Sequence, residues 1–186
     1  MTAAARLRIT LVETPGRPWR VLDVPESLAL SGVHKAIQAA FLWADYHLYE
    51  FRIGAKRYGP DAEYGDYRVY RADGRSLGDV IREGVHSFTY LYDFGDEWLH
   101  QIDIIDRFDS HASLLLPRFV EGARRAPPED VGGPFGFEEF LAAMVDPRHR
   151  DHAERRDWYG EGFDPDDVNI EAVEAALLRV ARRLRR

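Results

Sequence analysis

The stretch FTYLYDFGDEWLHQIDII, residues 88–105, decides the fold. Two apolar, aromatic-rich runs flank Gly95 and Asp96, the pattern of a β-hairpin. Side chains alternate along a strand, so Phe88, Tyr90, Tyr92 and Phe94 share one face. A two-residue loop at Gly95-Asp96 pairs Phe94 with Glu97 and Tyr90 with Gln101. A three-residue loop, residues 95–97, pairs Phe94 with Trp98, Tyr92 with His100 and Phe88 with Ile104. The second register makes one face wholly apolar or aromatic, and a slip of one residue spoils it. It is the register expected, with Gly95 free to take the positive φ that such loops often need. His100 then sits among aromatics, and Asp93 lies on the opposite face beside Leu99.

Outward from the hairpin, residues 6–13 (RLRITLVE) alternate Leu7, Ile9 and Leu11 with polar neighbours, a half-buried strand. Residues 19–24 (WRVLDV) read as a second strand, with Trp19, Val21 and Asp23 on one side and Pro25 ending it. Ser31 is placed to cap a helix over residues 32–42, whose stripe is Val33, Ile37, Ala40 and Phe41. A third strand follows at residues 47–53. Residues 54–78 lack a clear period and read as a long loop, with a short strand at residues 67–70. Residues 76–83 suggest one or two helical turns, and residues 118–121 an edge strand. Residues 126–134 (APPEDVGGP) are irregular. Phe137, Phe140, Leu141 and Met144 mark a helix, another begins near Pro147, and a last one starts at Asn169, a suitable cap. The chain therefore reads as one α+β domain over residues 1–186. The sheet, antiparallel or mixed, has about five or six strands around the aromatic hairpin and is packed by three or four helices.

The absence of cysteine excludes disulfides and thiolate metal sites. No run approaches the ~18 apolar residues of a membrane span, and the first ten residues lack a signal-peptide core. The expected compartment is the cytoplasm, with no membrane partner. Of 25 basic and 32 acidic residues, five arginines fall in the last eight positions (RVARRLRR), leaving 20 basic against 32 acidic before them. An acidic body repels nucleic-acid phosphates, which argues against a nucleic-acid partner. Arginines at a helix end complement its negative pole, the reading taken for the tail.

Several side-chain groups invite chemistry. Asp93, Asp96 and His100 are residue types that suit Mn, Fe or Zn. Against this, Asp96 in a hairpin loop commonly bonds its own backbone, and Asp93 and His100 are expected on opposite faces. No metal and no cofactor is expected. His149 and His152 are spaced to share a helical face, among arginines and acids that mark it as exposed. Glu129 and Asp130 either contact a ligand or cap the following turn. His34, Trp43 and His47 around the first helix, with Trp98 and His100 on the hairpin, are more polar-tipped rings than a core requires. They form either a buried network or a pocket.

YLYDFGDEWLHQIDI (residues 90–104) resembles the hallmark of the plasmid pRiA4b ORF-three-like family, some members of which are labelled insertion-element passenger TnpR-like proteins. VHKAIQAAFLWADYHLYEF (33–51) is similar to its LHxxIQxAFxWxxxHLxEF block, and GARRAPPEDVGGPFGFEEFL (122–141) to its GARxCPPEDxGGxxGYxxFL block. FDPDDVNIEAV (163–173) resembles the start of its closing helix. The family often has cysteine where this chain has Ala126 and Val131. The resemblance implies an α+β fold and a family mostly of unknown function. The TnpR label implies resolvase chemistry, but the serines, at positions 27, 31, 76, 87, 110 and 113, sit in no nucleophile motif.

The expected function is a non-catalytic binding or interaction protein, accessory to a plasmid or mobile element, with an unknown protein or small molecule as partner. Its surface would draw on His34, Trp43, His47, Asp93, Asp96, Trp98, His100, Glu129 and Asp130. The alternative is a metal-dependent hydrolase or nuclease using the Asp93, Asp96 and His100 region, with His47 as a further candidate ligand.

Overall fold

The 88–105 stretch folds as a hairpin at the middle of a sheet, with β6 (Ser87–Tyr92) antiparallel to β7 (Trp98–Ser110). The structure, a computed structural model, describes residues 1–60, 68–111, 113–160 and 162–185. The remaining strands are β1 (Thr2–Leu11), β2 (Trp19–Pro25), β3 (Tyr49–Ile53), β4 (Lys56–Gly59), β5 (Val69–Arg71) and β8 (Arg118–Ala123). They run in the order β5-β4-β3-β6-β7-β1-β2-β8, and every neighbouring pair is antiparallel except β4 and β5. The helices are α1 (Leu30–Phe41), α2 (Leu77–Arg82), α3 (Gly133–Val145), α4 (His152–Tyr159) and α5 (Ile170–Leu184).

Alternation explains which face is covered. Ala5, Leu7, Ile9 and Leu11 of β1 are fully buried, in one apolar cluster with Val33, Ile37 and Phe41 of α1. Phe51 of β3, Tyr90 of β6 and Trp98 of β7 extend that cluster. The opposite face is polar, yet two carboxylates on it are buried. Asp23 accepts from Arg6 at 2.7 Å and Arg118 at 2.6 Å, and Glu50 accepts from Arg52 at 2.6 Å and Arg57 at 2.8 Å. Each buried acid is thus paired twice, as a buried charge requires. α1 packs on α5, α5 on β8, and α3 on α4.

The α+β reading holds, but among the described residues the sheet has eight strands rather than five or six, and there are five α-helices rather than three or four. Strand β4 lies in the stretch read as a long loop and, at four residues, is too short to show a period. The strand expected over residues 67–70 appears as β5, with residue 67 outside the described residues. Helix α1 starts two residues earlier than expected, and Ala29, not Ser31, holds the cap position without a side-chain bond. Ser76 does cap α2, accepting from Asp79 N while Asp79 accepts from Ser76 N, a reciprocal box. The helix expected near Pro147 begins at His152, so His149 precedes it and the two histidines share no helical face. Asn169 precedes α5 in a left-handed conformation with no side-chain cap bond. Arg182 and Arg183 do fall in the last turn of α5.

The hairpin register also differs. Tyr92 pairs with Trp98, Tyr90 with His100 and Phe88 with Ile102, so the loop has five residues, 93–97. A shift of two residues preserves every face, which is why the aromatic face is as expected although the partners are not. The cause lies in Asp93. Its backbone takes φ 57°, its carboxylate Oδ1 accepts from Gly95 N at 2.9 Å, and its carbonyl accepts from Glu97 N at 2.7 Å. Aspartate tolerates this left-handed turn and closes it with its own side chain. Phe94 therefore leaves the aromatic face for the partly exposed tip.

Candidate functional site

The hairpin tip, residues 93–97, docks against the 127–133 loop. Gly133 (φ 69°) has room for no side chain, since a Cβ there would stand 2.7 Å from Asp96 O. Asp96 accepts from Gly132 N at 3.2 Å. The Tyr92 hydroxyl donates to Glu129 Oε1 at 2.5 Å, and Ala44 N donates to Glu129 Oε2 at 2.7 Å. Glu129 therefore neither caps the following turn nor stands free. It ties β6, the loop and the end of α1 together. Burial and the neighbouring Glu129 carboxylate push the Tyr92 hydroxyl pKa up, so it remains a donor across the neutral range.

Within this junction His47, Asp93 and Asp130 converge, and one possible ligand atom from each lies within 4.8 Å of the others. His47 Nε2 is 3.1 Å from Asp130 Oδ1 and 3.5 Å from Asp93 Oδ2. This nitrogen is buried, yet it has hydrogen-bond geometry with neither carboxylate. The ring stands edge-on to Tyr92, centroids 5.8 Å apart, which fixes its orientation. Asp93 spends Oδ1 on the turn, leaving Oδ2 for His47. Asp93 and Asp130 both hold left-handed backbones, φ 57° and 60°. Asp130 has a side chain 65% exposed and His47 one 29% exposed, so the cluster opens to solvent. Two carboxylates and an imidazole are the donor set of a divalent-cation site. Bonds of about 2.0–2.2 Å to a shared ion fit ligand atoms spaced this way.

The other expected residues lie elsewhere. His100 is fully buried among Phe41, Trp43 and Tyr90, with Nδ1 3.0 Å from Trp98 O. Desolvation lowers its pKa to about 3, so it is neutral. It takes no part in the acidic cluster, which among the described residues brings His47 and Asp93 together with Asp130 and leaves Asp96 and His100 outside. The objection that Asp93 and His100 oppose each other is sound for that pair and irrelevant to His47. Trp98 is fully buried, and Trp43 is buried with Nε1 donating to Pro127 O at 2.9 Å.

His34 belongs to a second, buried network. Its Nε2 is 2.7 Å from Asp45 Oδ1, and its Nδ1 is 2.7 Å from the Tyr90 hydroxyl. Gln38 Nε2 donates to the same hydroxyl at 3.1 Å. Burial lowers the His34 pKa despite the Asp45 carboxylate, so the ring is neutral. A carboxylate only accepts, hence the proton sits on Nε2 and Nδ1 accepts from Tyr90. The buried-network reading thus describes His34, while Trp98 and His100 are buried with Trp98 Nε1 and His100 Nε2 lacking a hydrogen-bond partner among the described residues, and His47 belongs to the open junction.

Two residues escaped the sequence reading. Asp45 gave no signal beyond its place in the WADYH run. Arg20 did give one: alternation in WRVLDV puts it on the side of Leu22 and Val24, a charge in a core register.

The model of the plasmid pRiA4b ORF-3-like protein family matches residues 3–172. An uncharacterised protein of Sinorhizobium fredii, y4hQ, is 38% identical over 192 residues, covering 100% of this chain and 98% of its own. The crystal structure of a protein of unknown function from Methanosarcina mazei Go1 is similar with a TM-score of 0.82 and 29% identity, covering 92% of this chain and 97% of that one. Among the described residues no helix is long and apolar enough to cross a membrane.

Proposed function

The chain belongs to the plasmid pRiA4b ORF-3-like protein family, and on that premise we propose that it is a binding protein whose working surface is the hairpin tip against the 127–133 loop, with a divalent cation as ligand on His47, Asp93 and Asp130. One observation carries this reading. A buried imidazole nitrogen lies between two carboxylate oxygens, at 3.1 and 3.5 Å, and hydrogen-bonds to neither. An ion shared by the three would satisfy all of them at once. The segments that meet here are also those that carry the family resemblance: the HLYEF run, the hairpin and the PPEDVGG loop. An accessory role to a plasmid has the wording of the family's description as its support.

The exposure of Asp130 favours a second reading. Three protein ligands on an open surface leave coordination positions for water or substrate, the arrangement of catalytic rather than structural metal sites. A metal-dependent hydrolase would then use His47, Asp93 and Asp130, with Asp96 and His100 outside its machinery.

The test is calorimetric titration of purified, chelator-treated protein with Mn²⁺ and Zn²⁺. Saturable uptake of one ion per chain is expected, weakened at least about tenfold in His47→Gln and in Asp93→Asn, as loss of a ligand entails. No saturable uptake, or uptake equal in both variants and wild type, overturns the reading. Turnover of ester or phosphodiester probes by the loaded protein distinguishes hydrolase from binding protein.

A further inference from the structure

A cleft of about 260 Å³ is lined by Arg20, Phe41, Trp43, Arg125, Pro127 and Tyr159. Its unusual feature is Arg20, a fully buried cation. Arg20 Nε donates to Ala40 O at 3.0 Å, near the C-terminal end of α1. Its Nη1 donates to Trp19 O at 2.8 Å, Ala123 O at 3.1 Å and Arg124 O at 2.9 Å. These bonds fix the guanidinium plane between α1, β2 and β8. They leave Nη2 unused, and among the described residues no carboxylate forms an ion pair with Arg20. Buried arginines ordinarily have an anionic partner. Desolvation lowers the Arg20 pKa only to about 10, so the group is charged at neutral pH.

The acidic side chain on the cleft, Glu129, is committed elsewhere, with one oxygen on Tyr92 and the other on Ala44 N. Arg125 adds a second cation, its Nη1 a loose 3.7 Å from Asp167 Oδ2. The remaining walls are flat and apolar: Phe41, Trp43, Tyr159 and Pro127.

We infer that this cleft binds a small carboxylate with a flat apolar body, its carboxylate on Arg20 Nη2 and Arg125 and its body against Trp43 and Tyr159. A guanidinium held rigid by four carbonyls presents its remaining N–H groups without further loss of freedom, and its planar fork suits a carboxylate. The volume admits one aromatic ring with a short side chain rather than a drug-sized molecule. None of the three cation-cluster residues lines the cleft, so this site stands apart from the metal reading.

The experiment uses the whole chain in chelator, with ligand-observed NMR titrations of 3-phenylpropionate, 3-phenylpropanol and inorganic phosphate. The acid is expected to bind at least about tenfold tighter than the alcohol, the worth of a hydrogen bond to a charged group. It is also expected to bind tighter than phosphate. Ala126→Leu, which fills the cleft wall, and Arg125→Glu, which reverses its second charge, should each weaken the acid about tenfold or more while melting as wild type. If Ala126→Leu fails to fold, the surface-side variant Arg125→Glu carries the test. Equal binding of acid and alcohol, phosphate binding as tight as the acid, or no binding of the acid to wild type overturns the inference.

Discussion

The Tyr92 hydroxyl donates a 2.5 Å hydrogen bond to Glu129 Oε1, joining the end of a central strand to a loop 37 residues away in sequence. The same hydroxyl accepts from Tyr46 N at 3.1 Å, so one phenol fixes the segment before β3 as well. The expected consequence is that Tyr92→Phe destabilises by about 1.5–3 kcal/mol, since it strips a charge-assisted bond and leaves a half-buried carboxylate short of a donor. Chemical denaturation of Tyr92→Phe, Glu129→Gln and the double variant checks it. Additive losses in that cycle would show that the two side chains do not act as a pair.

Trp98 is fully buried and stacks on Trp43 at 6.1 Å between ring centroids. Trp98→Ala should cost about 3–5 kcal/mol, through lost burial and a residual cavity. Asp93→Asn is nearly isosteric and keeps the turn-closing oxygen, so it should be mild for folding. Denaturation midpoints of the two variants beside wild type decide this. An Asp93→Asn loss as large as that of Trp98→Ala would make the hairpin tip a structural network rather than a working surface.

The legible and illegible parts of the fold divide on physical grounds. The faces of the hairpin strands follow from alternation, and Phe88, Tyr90, Tyr92, Trp98 and His100 lie as read, while Phe94 falls in the loop instead. The register is a two-residue shift away, and such a shift changes no face, so hydrophobicity alone has no purchase on it. What selects it is the ability of Asp93 to turn left-handed and bond Gly95 N. β4 was illegible because a strand of four residues displays no period.

The same contrast holds for the site. The candidate residues were visible as chemistry-bearing types, but their grouping depends on tertiary approach. His47, Asp93 and Asp130 come from three segments separated by tens of residues, and only sheet order brings β3 beside β6. His100 looked like a ligand by proximity in sequence to Asp93 and Asp96. Strand pairing instead drives it beneath Phe41 and Trp43. Arg20 is the opposite case: its core register was readable, and a charge in that register deserved a partner.

Cation binding at His47, Asp93 and Asp130 should appear in stability as well as in calorimetry. A ligand at about 100 times its dissociation constant, binding only the folded state, stabilises by about 2.7 kcal/mol. Mn²⁺ or Zn²⁺ should therefore raise the melting temperature of wild type and, with affinity about tenfold weaker, raise that of Asp93→Asn by about half as much or less. Equal shifts in both proteins would place any bound ion elsewhere.

The arginine-rich end belongs to α5, with Arg182 and Arg183 in its last turn and Arg185 Nη2 donating to Leu114 O at 2.8 Å. Removing residues 182–186 should cost about 1 kcal/mol or less for the charges opposite the helix pole. It should leave DNA affinity unchanged, because the acidic body allows none at physiological salt. Salt-sensitive DNA binding by wild type that vanishes on truncation would show instead that the tail is a phosphate-binding element.

Two buried histidines make the fold acid-sensitive, and the sign follows from the direction of their shifts. His100 is lowered from 6.5 to about 3 by desolvation, and His34 is lowered as well, also by burial. Below the unfolded value each ring binds a proton in the unfolded chain but not in the folded one, so stability falls as pH drops. For His100 that window runs from about pH 6.5 down to about 3, with a slope of about 1.4 kcal/mol per pH unit for one proton. Above pH 6.5 this contribution to stability is fully present and flat. Asp45, lowered by its bonds to His34 and Lys35 against the upward push of burial, adds to the acid loss as it protonates. Among the described residues no carboxylate pairs with His100, whose side-chain bond is to the Trp98 carbonyl, so no opposite charge compensates its protonation. His100→Gln removes one titrating ring while keeping an amide able to donate to Trp98 O. Between pH 6 and pH 4 its unfolding free energy should fall less steeply than that of wild type by about the one-proton slope. Urea denaturation of both proteins across that range measures the difference, and parallel pH dependences would mean that His100 is already protonated, and therefore hydrated, in the folded protein.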